Sequence, residues 1–150
     1  MLLKATRFVA ADPDAVFALI TTPARLSEWN RAIVRTVEAP ERLESGSAWV
    51  VELHALGQSW PSRSTVKMLD QSTGLFSYRS QTDDGNPSHA DWTWQISEAS
   101  GGSDLSVTVD LHPVTFWRRM LLARVRARQL RREMRDSLEQ LATTLAPVAN

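Results

Sequence analysis

Three histidines, His54, His89 and His112, are the only side chains in this 150-residue chain that titrate near neutrality unaided. Alternation along their strands decides what each can reach. His54 is out of phase with Trp49 and Leu53, and His112 with Val109 and Leu111, so both point away from the apolar face. His89 stands near a strand start beside Asp91, where a histidine–carboxylate pair can form on the outer face. Solvated or structural roles fit all three better than catalysis. No HExxH, no histidines paired at helical spacing and no cysteine occur. Familiar zinc patterns, thiol chemistry and disulfides are thereby excluded, and neither a metal nor a cofactor is expected. GxSxG and a glycine-rich phosphate loop are also missing. Tyr78, the single phenol, is in phase with apolar neighbours and could orient a ligand carbonyl, with Arg63, Arg79 or a histidine beside it. No catalytic residue can be named from the sequence.

The elements that would position these groups begin at residues 8–29, FVAADPDAVFALITTPARLSEW. An apolar run ends at Ala10-Ala11, and Asp12-Pro13-Asp14 follows. Asp12 suits a helix cap, Pro13 the first helical position, and Asp14 the positive end of the helix dipole. Val16, Phe17, Leu19 and Ile20 supply an apolar face about two turns long. Thr22-Pro23 restarts the chain as cap and first turn of a second short helix through Leu26 to Trp29. Ile33 to Glu38 then alternates as a strand, and Trp49, Val51, Leu53 and Ala55 alternate with Val50, Glu52 and His54. Gly57 to Pro61 reads as a turn, and Arg63 to Leu69, Leu75 to Gln81, Ala90 to Ser97 and Leu105 to His112 as strands. Residues 71–74, 83–86 and 100–103 are the intervening turns. With the first strand, that makes a seven-stranded meander.

From Val114 to Ala146 the chain has no proline or glycine. Leu, Ala, Arg, Gln and Glu dominate it, a strong helix composition. Phe116, Met120, Ala123, Ala127, Leu130, Met134, Leu138, Leu141 and Leu145 form one apolar stripe.

A strand feeding two short helices that end in Trp29, then six strands and a long amphipathic helix, resembles the START-like (SRPBCC) superfamily. Within it, the resemblance is to the polyketide cyclase/dehydrase-like helix-grip proteins. It implies an α+β fold with a seven-stranded curved antiparallel sheet around the C-terminal helix, occupying residues 1–150 as one domain. It also implies a cavity for an apolar ligand between helix and sheet, with the short helices near one end, but no particular reaction.

Alternation places Trp49, Val51 and Leu53, Val66 and Met68, Phe76 and Tyr78, Trp92 and Trp94, and Val107 and Val109 on the inner face. Met120, Ala127 and Met134 face them from the helix. These fourteen residues are the candidate ligand contacts. Six tryptophans are a high load, and the inner ones either fill the core or stack on a ligand. The three methionines fit irregular gaps under either reading. A cavity of roughly 300–1,000 Å³ is expected, with Trp29 packed against the sheet end or the long helix.

Binding of a lipid, polyketide or isoprenoid is the first functional expectation, and a cyclase or dehydratase acting by positioning is the alternative. A third reading comes from the helix, where eight arginines between Arg118 and Arg135 meet only Glu133, Asp136 and Glu139. Arg124, Arg128, Arg131 and Arg135 share one flank, which either bridges to acidic groups of the sheet or docks on anionic lipid or an acidic partner. Trp117, Leu121, Leu122 and Val125 add apolar groups nearby, suited to a pocket mouth, a homodimer contact or a membrane interface. Seventeen basic and 17 acidic residues sum to zero charge, which argues against nucleic acid as the main partner. The opening MLLKATRFV has no apolar core fit for a signal peptide, and no run approaches a membrane span. A cytoplasmic location is expected.

Overall fold

Asp12 takes the capping role its position suggests, its Oδ1 accepting the Ala15 N–H at 2.9 Å with Pro13 opening the helix behind it. In the computed structural model, which describes residues 1–55, 57–82, 88–112 and 123–146, this helix follows the first strand directly. The order is β1 (Leu2–Val9), α1 (Pro13–Ile20), a 3-10 turn (Pro23–Arg25), α2 (Leu26–Trp29), β2 (Ile33–Glu38), β3 (Ala48–Ala55), β4 (Gln58–Asp70), β5 (Leu75–Thr82), β6 (His89–Ala99), β7 (Gly102–His112) and α3 (Ala123–Leu145). Thr22 does not cap as expected. Its hydroxyl instead donates back to the Ala18 carbonyl at 2.6 Å, and Pro23 alone sets the restart.

All seven strands join one antiparallel sheet in the order β1-β7-β6-β5-β4-β3-β2. Strands β2 to β7 form the meander, while β1 pairs with β7, from Leu2–Asp110 to Val9–Ser103. The first two strands are thus the two edges, and α1 and α2 carry the chain between them. The turn between β3 and β4 is tighter than the sequence suggests, since Ala55 pairs with Gln58 and β4 contains Pro61. At the β4–β5 turn Gly74 holds φ +70°, and a Cβ there would stand 2.1 Å from the Ile96 carbonyl oxygen. Only glycine fits. The expected turn at residues 83–86 lies outside the described residues, as do residues 113–122 of the predicted helix.

One strand departs from simple alternation. Val66 pairs with Tyr78, but the next partners are Met68–Ser77 and Leu69–Phe76, so Lys67 is the extra residue of a β-bulge. The bulge reverses the faces beyond it. Met68, expected inside, is 48% exposed on the outer face, and Leu69 packs on the core in its place.

The core lies between the inner sheet face and the helices. Trp49, Val51, Val66, Phe76, Trp94, Val107 and Val109 from the sheet meet Ala127, Leu130, Met134, Leu138 and Leu141 from α3, all buried in one cluster. Ser137 fixes the helix to the α2–β2 connection, its hydroxyl accepting the Arg31 N–H at 3.0 Å. On the opposite flank of α3 the reading of arginines bridged to the sheet finds no ion pair to support it. Arg124, Arg128, Arg131 and Arg135 are exposed and make no ion pair among the described residues. Among the described residues, the ion pair between α3 and a strand runs from Arg7 to Glu139 at 2.6 Å.

Candidate functional site

A cavity of about 50 Å³ opens where α2, α3 and the inner sheet face converge. It is much smaller than expected, because Trp29 and the α3 side chains close down on the sheet. Its apolar wall is Leu53, Trp92, Trp94, Val107, Leu130 and Met134, and its polar rim Asn30, Arg126, Glu133 and Ser137, with Trp29 and Ala32 completing it.

Strand alternation brings Trp92 and Trp94 to this wall from β6, Leu53 from β3 and Val107 from β7. Trp29 closes the end. Its ring is 2% exposed and meets Trp94 edge to face, centroids 5.5 Å apart. Its indole N–H has no hydrogen-bond partner, the one such buried side-chain polar atom among the described residues. The other two indoles are satisfied, Trp94 donating to the Tyr78 hydroxyl at 3.3 Å and Trp92 to the Ser80 hydroxyl at 3.1 Å.

Arg126 and Glu133, two helical turns apart, form the charged part of the wall. Arg126 Nη1 lies 3.2 Å from Glu133 Oε1, bonds Gln129 Oε1 at 3.0 Å, and the guanidinium sits 5.8 Å above the Trp60 ring. Burial outweighs the attraction of Arg126 and raises the Glu133 carboxyl above its ordinary value. Glu133 is the carboxyl of the cavity wall.

Of the fourteen expected contacts, Leu53, Trp92, Trp94, Val107 and Met134 line this cavity. Trp49, Val51, Val66, Phe76, Tyr78, Val109 and Ala127 are core residues beside it. Met68 is on the far face, and Met120 lies outside the described residues. Tyr78 sits in an aromatic cluster with Trp49 (4.9 Å), Phe76 (5.0 Å) and Trp92 (6.0 Å), and burial pushes its phenol up. It is held by rings and does not line the cavity. Arg79 is tied to Asp91 on the outer face at 2.8 Å, and Arg63 reaches Glu38 at 4.0 Å, so neither serves the cavity.

Sequence reasoning missed the polar wall. Arg126 and Glu133 are seven residues apart and read as solvated helix charges, though that spacing returns both to one flank just beside the apolar stripe. It also missed that His89 and His112 stack at 4.6 Å on the outer face. The mirrored His89-x-Asp91 and Asp110-x-His112 patterns on adjacent strands were the available signal.

Comparison with known proteins places this geometry. A crystallised protein from Chromobacterium violaceum is 22% identical and superposes with a TM-score of 0.77, covering 97% of each chain. The Zhui aromatase/cyclase of Streptomyces sp. R1128 is 17% identical with a TM-score of 0.74, over 97% of this chain and 93% of that one. The major latex-like protein 151 of Panax ginseng is 10% identical with a TM-score of 0.75, over 98% of both. No curated protein matches at the level of sequence. These likenesses show the helix-grip fold, and the family match runs from residue 2 to residue 146. The chain belongs to the family described as polyketide cyclase/dehydrase and lipid transport, in the START-like superfamily.

Proposed function

We propose that this protein binds a small apolar or aromatic molecule carrying a hydrogen-bond acceptor at one end, in the cavity between α3 and the sheet. The unpaired Trp29 indole N–H is the observation that carries this reading. A buried donor without a partner costs roughly 1–3 kcal/mol, which a ligand carbonyl or hydroxyl oxygen would recover. Trp92 and Trp94 offer ring faces for the apolar part, and Met134 adapts to its outline. Water molecules can fill the present volume, at about 10–15 Å³ each, whereas a lipid or polyketide requires α3 to shift outward.

Native mass spectrometry of the purified protein should show a co-purified organic ligand. Aromatic polyketides and fatty acids added to it should quench tryptophan emission and raise the melting temperature. A panel that changes neither signal refutes the binding reading. A second reading, cyclisation or dehydration of a polyketide-like substrate, is favoured by Glu133, whose raised pKa suits proton transfer at the cavity wall. It is tested by product analysis with Glu133→Gln, which would retain ligand affinity and lose turnover.

A further inference from the structure

The outer face of the sheet, remote from the cavity, carries a second arrangement of groups that chemistry can use. In the β6–β7 ladder His89 pairs with His112 and Asp91 with Asp110. Side chains two apart on one strand share a face, and cross-strand neighbours stand about 5 Å apart at Cβ. Two imidazoles and two carboxylates therefore form a square at the open end of the hairpin. Trp92 and Val109, the pair between these rungs and the turn, point to the core.

One ring nitrogen of His89, one of His112 and one Asp91 oxygen lie within 4.8 Å of one another. Asp91 Oδ2 is 3.8 Å from His89 Nε2 and 3.7 Å from His112 Nε2, and Asp110 Oδ2 is 2.9 Å from His112 Nε2. Ligands about 2.0–2.2 Å from a tetrahedral ion stand about 3.3–3.6 Å apart, so the three groups close by up to about 1.5 Å through a turn of the imidazoles. The Asp91 carboxylate is already oriented. Arg79 Nε and Lys67 Nζ hold its Oδ1 at 2.8 and 3.1 Å, and Arg79 Nη2 reaches Oδ2 at 3.2 Å, leaving a lone pair of Oδ2 toward the rings. Such outer partners of a ligating carboxylate are what fix a metal site. Lys67 is available there because it is the bulged residue of β4.

We propose that His89, His112 and Asp91 bind a divalent transition-metal ion on the outer face of the β6–β7 hairpin, with the fourth position open to water. Imidazole with carboxylate suits zinc and copper, while calcium and magnesium prefer all-oxygen sites. The ion would clamp the last residue of β7 to the first of β6. It would not touch the cavity, so it stands apart from the ligand reading.

Isothermal titration of the metal-free protein with zinc chloride should show one equivalent bound. His89→Ala/His112→Ala should weaken it by about a hundredfold or more. Copper(II) bound to the unaltered protein should show two-nitrogen superhyperfine structure in its electron paramagnetic resonance spectrum, a readout that needs no variant. Zinc that binds the double variant as tightly as the parent, or a copper spectrum without two nitrogens, overturns the proposal. So does the absence of heat with zinc at millimolar concentration, which would leave the cluster as histidine–carboxylate ion pairs.

Discussion

Burial, ring contact with Trp94 and an unpaired donor meet in Trp29. Trp29→Ala should cost about 3–5 kcal/mol in urea unfolding, the usual loss for a large buried ring. Trp29→Phe should cost clearly less, since it keeps most of the ring contact with Trp94 and removes the orphaned N–H. Equal losses for the two variants would show that the indole nitrogen is bonded. Glu133 adds a pH signature. Its folded-state pKa is raised by burial, so the stability tied to its proton is fully present below the ordinary value of 4.5 and is lost as pH rises through the folded value. Glu133→Gln keeps an acceptor for Arg126 and does not titrate. Its melting temperature relative to the parent should therefore climb from pH 4 to pH 7, and a constant difference would contradict the burial argument.

Among the elements, β4 shows how a single residue rewrites a face. Period-two alternation from Val66 puts Met68 inside, and the bulge at Lys67 puts Leu69 there instead. Met68→Lys should change stability by less than about 0.5 kcal/mol, while Leu69→Lys should cost at least about 1 kcal/mol. The reverse ranking would mean that the ladder is regular. This strand also marks the boundary of what was legible in the sequence. Asp12-Pro13, the alternation of β3 and β6 and the apolar stripe of α3 are local patterns, and each specified its element and its inner face. A bulge depends on the partner strand, and no residue of SRSTVKMLD announces it. Likewise the cavity wall needed the docking of α3 beside Trp29 before Arg126 and Glu133 could be recognised as its lining. The tryptophans of β6 were visible early because alternation alone aims them.

For the molecule as a whole, charge is balanced in number and uneven in place. The exposed arginines of α3 have no ionic partner among the described residues, so Arg128→Glu with Arg131→Glu should leave the melting temperature within about 2 °C of the parent. A large loss would show that they bridge to the sheet after all. No described helix is long and apolar enough to cross a membrane. The pairing of β1 with β7 bears on how the chain comes into being. Leu2 to Val9 are made about a hundred residues before their partners, Ser103 to Asp110. Translation at roughly 5–20 residues per second leaves the nascent strand waiting for about 5–20 s. During that interval Lys4 and Arg7 interrupt its apolar surface and discourage pairing with other nascent chains. The meander can form hairpin by hairpin as it emerges, but β1 joins the sheet only once β7 has been made.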